Sequence, residues 1–226
     1  YTPKDKLPWD DAVTIVLTYA EIPYDKIYDA EIVHGDLIKY DWLHLHHEDF
    51  TGQYGKFYTA YQNMAWYRNQ VFSAEKEAAE LGFKKVSEVK LFVAQTIKQY
   101  VANGGFLFAM CSATDSYDIA LSATSTDICE SMFDGDPAEP DFNGKLDYTK
   151  TLAFRNFKLS TNPNEYEFSD IDVTTSRKVV ESDDYFTLFE FSAKWDPVPT
   201  MLCQNHTSII KGFMGQTTAF NEKIIK

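Results

Sequence analysis

The sequence is poor in cysteine, in basic residues and in long apolar runs, and each shortage removes a class of protein. Three cysteines, at 111, 129 and 203, are too few and odd in number to staple a chain of 226 residues, so no disulfide framework or redox setting can be read from them. Lys and Arg number 21 against 34 Asp and Glu, a formal charge of -13. No basic stripe interrupts this excess, so phosphate backbones and anionic membrane surfaces are repelled. No apolar run approaches the roughly 20 residues that span a bilayer. The expected partners are therefore a small polar molecule or a protein, with neither nucleic acid nor membrane insertion. No internal repeat or low-complexity segment is visible, and no motif specifies a cofactor.

What the chain does have is 44% hydrophobic and 15% aromatic residues, enough to bury one sizeable core. The expectation is one domain over 1–226, carrying an elaboration at 128–195. Ala12, Val13, Val16, Leu17 and Ala20 recur at helical spacing, with Asp10 or Asp11 as N-cap and Pro23 as stop. A strand at 24–29, a helical piece at 30–38 and a strand at 40–47 follow. An amphipathic stretch from about 56 to 81 stops at Gly82. Ser87 then caps a helix whose Val89, Phe92, Val93, Ile97, Tyr100 and Val101 share a face, ended by "NGG". The apolar "FLFAM" reads as a buried strand, and "SYDIALSA" as the helix after it.

Strands alternating with helices predict βαβ units and a mostly parallel sheet. Such sheets place their sites at the carboxyl ends of the strands. From 127 to 147 the character changes: seven acids stand against one lysine, with Pro and Gly interspersed, which predicts a solvated acidic loop. Its "DGD" has the residues for calcium but not the spacing of an EF-hand loop. Stretches at 151–160, 166–174 and 185–195 read as antiparallel strands, and "TMLCQ" as a late strand returning to the core.

Three groups could carry chemistry. Cys111 follows "FLFAM" directly, with Ala109 and Ala113 two residues to either side, the small-residue spacing that a nucleophile elbow requires. There a thiol faces a helix N-terminus that favours the thiolate; the competing reading is a small buried hydrophobe ending a core strand. His206 follows a strand and offers a base, or merely caps the next helix. "LHLHHEDF" gathers His44, His46, His47, Glu48 and Asp49 at a strand end, where a carboxylate can orient His206 or where His46, Asp49 and His206 can ligate a metal. Alternation on the strand keeps the three histidines from sharing one ion.

The quoted residues "AEIPYDKIYDAEI", "YDWLHLHHEDFTGQYGKF", "GGFLFAMCSATDSYD" and "PTMLCQNH" together resemble the class I glutamine amidotransferase-like superfamily, and most closely the amidotransferase-like half of secreted bacterial proteins labelled asparagine synthetase B-like. The likeness covers nearly the whole chain. It implies an α/β fold with a flavodoxin-like parallel sheet, a chain that is a fragment of a longer one, and a periplasmic or secreted location. It also implies features akin to trehalose-utilisation-type proteins. By position it makes Cys111 the nucleophile and matches Gln204 with His206 to the start of the histidine motif, His206 being the base; to these our reading of the residues adds Glu48 or Asp49 as orienter or polar contact, and His46, His47, Asp49, Ser112 and Gln204 as binding residues. The chain departs from the family pattern in three places: Thr207 and Ser208 replace the Pro and Glu of Q-x-H-P-E, the elbow glycines are alanines, and "HHEDFTGQYG" replaces the glycine-rich oxyanion loop. These departures predict weak or no glutaminase activity, and no ATP-pyrophosphatase loop is visible. The expected function is thus an amidotransferase-like or hydrolase domain acting on a small polar substrate. The alternatives are a non-catalytic sugar- or protein-binding domain of the same fold, or a metal-dependent site at "HHED". The flavodoxin-like order further predicts a strand ending at or just before Tyr1, lying between those at 24–29 and 41–46.

Overall fold

The computed structural model describes residues 1–5, 12–165, 168–173, 185–187, 209–211 and 220–226. Two compact units are distinguished, one of 1–173 with 218–226 and one of 174–217. Among the described residues the protein is mixed α/β, with seven α-helices and a two-stranded parallel sheet in the first unit.

The helices are α1 Ala12–Tyr19, α2 Asp29–Val33, α3 Tyr58–Tyr61, α4 Ala65–Glu80, α5 Val86–Ala102, α6 Ser112–Ser122 and α7 Ser131–Asp134. α5 is the best specified. Its Val86, Val89, Val93, Ala94 and Ile97 are buried on one face, and Glu88 turns back to accept the N–H of Lys84 at 2.9 Å, satisfying a donor that the helix start leaves open. Gly104, at φ 98, turns the chain out of the helix, and β2 (Phe106–Ala109) follows at once. β2 pairs in parallel with β1 (Trp42–Leu45) in the register Trp42↔Phe106 to Leu45↔Ala109. Leu43 and Leu45 face a core shared with Ile32, Leu37, Val89, Val93, Ala94 and Ile97. On the opposite face Trp42, Phe106 and Phe108 stay largely exposed.

Several expectations need correction. The stretch 24–29 forms no strand; it runs extended, and Asp29 already opens α2, whose first turn is tied by Tyr28 N–H to Glu31 at 2.9 Å. Ile27 accepts the Thr2 N–H at 3.2 Å, while the Tyr1 nitrogen donates to His44 O at 2.9 Å. Tyr1 and Thr2 therefore stand between the extended 24–28 segment and β1, the place where the sequence demanded an intervening strand. The helical piece at 30–38 breaks at Gly35 (φ 87) into α2 and a 3-10 turn, Asp36–Lys39. The stretch 56–81 is likewise broken: the positive-φ residues Tyr54, Gly55 and Lys56 delay its start to α3, and a turn at 62–64, with Met64 extended, separates α3 from α4. The N-cap of α5 is Lys85 rather than Ser87. The Asp10 or Asp11 cap lies outside the described residues.

The acidic stretch is not simply solvated. Ile128, Cys129 and Phe133 are buried, and the Lys85 ammonium lies 2.6 Å from Asp127, 3.1 Å from Asp134 and 2.6 Å from Asp136. The antiparallel strands expected over 151–174 reduce to isolated bridges, Phe154↔Ile225, Leu159↔Ser169 and Asp172↔Phe220. These carry a second core of Ile119, Phe154, Phe157, Phe168, Ile171 and Ile224. In the second unit β3 (Tyr185–Thr187) pairs antiparallel with β4 (Ile209–Lys211). The remainder of 185–195 and the late strand lie outside the described residues. Among the described residues no helix is long and apolar enough to cross a membrane.

α6 joins the two cores of the first unit, with Tyr117 and Leu121 in one and Ile119 in the other. Its Asp118, 1% exposed, accepts the N–H groups of Leu152, Ala153 and Phe154 at 2.7, 2.7 and 2.8 Å. Burial raises the Asp118 pKa while these three donors pull it back down. An alanine there removes the acceptor of three N–H groups, that of Phe154 buried and those of Leu152 and Ala153 part-buried, each bond to the carboxylate worth on the order of 1 kcal/mol or more. Asp118→Ala is expected to lower stability in urea unfolding by at least about 3 kcal/mol; a loss under 1 kcal/mol would contradict the anchoring role.

Candidate functional site

β2 gives way to α6 through two residues, Met110 and Cys111, the second held at φ 56 and ψ -144. An L-residue pays about 1–3 kcal/mol for such backbone and holds it only when both sides are fixed. Here they are: Met110 N–H donates to Leu45 O at 3.1 Å on the strand side, and Thr114 N–H to Cys111 O at 3.1 Å on the helix side. Ala113 is wholly buried behind the bend, so little beyond a methyl fits. The Cys111 thiol is half-buried and not in a disulfide.

The end of β1 meets this bend. Ser112 Oγ donates to His47 O at 3.2 Å, and Ser116 Oγ to Glu48 O at 2.8 Å. The His46 and His47 rings stack with centroids 3.6 Å apart. Glu48 is 3% exposed and its carboxylate accepts the His46 N–H at 2.5 Å. Burial pushes the Glu48 carboxyl up to about 7, against the pull of the Tyr1 amino group. Asp49 is committed elsewhere: it accepts Thr51 N–H at 2.7 Å, Thr51 Oγ1–H at 2.6 Å and Gly55 N–H at 2.9 Å. Those bonds shape the 51–56 loop, in which a side chain at Gly55 would strike Phe57. Both carboxylates proposed as orienter bond their own turns, Glu48 at the His46 N–H and Asp49 at two N–H groups and a hydroxyl.

The structure thus brings Cys111, Ser112, His46, His47 and Glu48 to the carboxyl ends of two paired parallel strands. Gln204 and His206 lie outside the described residues. Along the open sheet face a cleft of about 1270 Å³ is lined by Trp42, His44, Phe106 and Phe108, with His46, His47 and Glu48 among its walls. Neither His46 nor Asp49 belongs to a convergent set of metal-ligating atoms among the described residues. The set that does converge is Asp127, Cys129 and Asp134, within 4.8 Å of one another, and the Lys85 ammonium is ion-paired with both of its carboxylates. Cys129 is spent there, its Sγ donating to Thr51 O at 3.1 Å.

Two buried groups beside the elbow escape a reading of local sequence. Ser116 is wholly buried, and Asp115, 2% exposed, is pushed up to about 7 by burial and then by Asp172. The one available signal was spacing, since Ser116 lies one helical turn beyond Ser112. No family model, curated protein or solved structure matches the chain.

Two measurements follow. Glycine adopts left-handed backbone freely but ordinarily costs about 0.5–1 kcal/mol relative to alanine. At position 111 the order is expected to invert, Cys111→Gly being at least as stable as Cys111→Ala in urea unfolding; the ordinary order would mean that the bend is not strained. Secondly, Glu48 and Asp115 hold their protons to about 7 in the folded chain but release them near 4 to 5 when unfolded. The folded state binds more protons in that window, so stability is full below it and falls as pH rises through 7. Each group is expected to contribute up to about 3 kcal/mol, and Glu48→Gln to flatten the decline; stability rising from pH 5 to 7 would contradict both assignments.

Proposed function

We propose that the chain is an amidotransferase-like or hydrolase domain of the class I glutamine amidotransferase-like type, using Cys111 as its nucleophile on a small polar substrate. The observation that carries this reading is the left-handed backbone of Cys111 at the junction of a parallel strand and a buried helix. That geometry sets Cys111 at the N-cap of α6, next to first-turn N–H groups that lack intrahelical acceptors. The placing of Tyr1 and Thr2 beside β1 supports a flavodoxin-like strand order. The resemblance adds a periplasmic or secreted setting.

In this reading the thiolate attacks the carbonyl carbon of a small amide or ester and forms a C–S bond. The proton taken from the thiol by His206 passes to the leaving amine or alcohol as the carbonyl–heteroatom bond breaks. Water then hydrolyses the thioester, releasing the acid and restoring the thiol. Amides of the first helical turn, starting at Ser112, receive the oxyanion. Glu48 orients or polarises at the strand ends, and Gln204, His46 and His47 contact the substrate. A second reading, a non-catalytic binding domain, is favoured by the cleft along the aromatic sheet face.

The test is turnover of a panel of small amides and esters, with mass spectrometry of the Cys111 peptide. Hydrolysis lost in Cys111→Ser, with an acyl adduct on Cys111, is the expected result. Glutamine is expected to be turned over at least about 100-fold more slowly than the best panel substrate, the scale of one missing oxyanion donor. Saturable ligand binding with no Cys111-dependent turnover or adduct would replace the catalytic reading with the binding one.

A further inference from the structure

Two serines on one face of α6 treat the "HHED" turn in a way that helix building does not require. Ser112 and Ser116 are four residues apart, hence stacked on one face, and their hydroxyls donate to successive carbonyls, those of His47 at 3.2 Å and Glu48 at 2.8 Å. Helical serines and threonines commonly bond back to their own preceding turn. Elsewhere in this protein they do so: Thr96 Oγ1 donates to Phe92 O at 2.9 Å and Ser122 Oγ to Ile119 O at 2.8 Å. Ser112 and Ser116 instead reach across to another element. Ser116 also accepts the Phe50 N–H at 3.4 Å, so one wholly buried hydroxyl holds the turn at two points.

The Glu48 side chain folds back onto the same turn, its carboxylate accepting the His46 N–H. The place of that carboxyl is therefore set by the backbone of residues 46 to 48. That backbone is gripped by a helix whose first residue follows Cys111. A rigid helical turn consequently fixes carboxyl and thiol relative to each other.

We propose that Ser112 and Ser116 form a clamp holding the Glu48 carboxyl in its buried place beside the elbow, with Ser116 as the principal positioning residue. The inference rests on the nucleophile reading only for its consequence, the tuning of Cys111; the clamp itself is a statement about residues 46 to 50. On the nucleophile reading, a Glu48 carboxyl held in this place serves to stabilise the thiolate, so loosening the clamp slows the thiol. Threonine at 116 keeps the hydroxyl and is expected to keep the effect, whereas alanine loses it. Ser112, at the half-exposed end of the pair, contributes less.

The experiment uses the full chain and two readouts. Iodoacetamide alkylation at pH 7 is followed at the Cys111 peptide by mass spectrometry in the parent, Ser116→Ala, Ser116→Thr, Glu48→Gln and Ser116→Ala/Glu48→Gln proteins. Amide hydrogen exchange is followed over residues 46–50 in the same set. The expected result is a rate at least about threefold lower in Ser116→Ala, restored in Ser116→Thr, with the double variant no slower than Glu48→Gln alone. Such non-additivity marks action through Glu48. Exchange at His46 and Phe50 is expected to rise in Ser116→Ala and to stay slow in Ser116→Thr. Additive rate losses, or unchanged exchange in Ser116→Ala, would overturn the clamp. A parent Cys111 no more reactive than an ordinary thiol of pKa about 8.5 would instead sink the nucleophile reading, leaving the clamp to stand or fall on exchange.

Discussion

Helix α6 is buried along nearly its whole length, and it is not an apolar helix. Asp115, Ser116, Asp118 and Ser122 are each no more than 2% exposed, so every one of their polar atoms must find a partner inside the protein or carry a desolvation cost of a few kcal/mol. The partners found are mostly loops. Asp118 collects three N–H groups of 152–154, Ser116 takes the turn after β1, and Tyr117 OH reaches Ala94 O on α5 at 3.1 Å. Much of what lacks regular secondary structure in the first unit is placed by this one helix, and the elbow is simply where the helix begins.

That arrangement explains why strain at Cys111 can persist. The left-handed bend could relax only by moving β2 or α6, yet β2 is registered against β1 over four residue pairs and α6 is tied to two loops and a helix. Rigidity on both sides converts a local backbone penalty into a fixed direction for one thiol. The same ties bring the "HHED" turn to the bend. Proximity of Cys111 and Glu48 thus comes from two sources at once, parallel strand pairing and hydroxyl bonds from the helix.

Much of this was legible in the sequence wherever the signal was local and periodic. α5 announced itself through Val89, Val93 and Ile97 and through "NGG"; the apolar run of "FLFAM" marked the strand β2 but not its burial, since Phe106 and Phe108 face outward. The bend showed in the small residues Ala109 and Ala113. Other features depended on partners remote in sequence. The acids at 127–136 read as solvated because their counter-ion, Lys85, lies some forty residues earlier and carries no motif. The sequence marked "SYDIALSA" as a helix but gave no sign that Ser116 and Asp118 are buried, since spacing alone cannot distinguish a solvent-facing serine from one bonded to a buried carbonyl. The helix expected from about 56 starts late, because the positive-φ residues 54–56 belong to the loop that Asp49 bonds at Gly55, and it is interrupted at 62–64 by a turn that no Gly or Pro announces. The stretch 24–28 has strand-like composition but pairs through Thr2 alone among the described bonds. Gln204 and His206 were legible as motif residues, and the functional proposal depends on them most.

The central claim is that the fold holds Cys111 as a poised thiolate at the meeting of two strand ends. It is tested most directly by the pH dependence of Cys111 alkylation in the unmodified protein, read from the Cys111 peptide so that Cys129 and Cys203 do not contribute. The account expects an apparent thiol pKa clearly below the ordinary 8.5, with rapid reaction already at neutral pH. An apparent pKa at or above 8.5, with the rate of a simple exposed thiol, would contradict it and leave Cys111 as a strained structural bend.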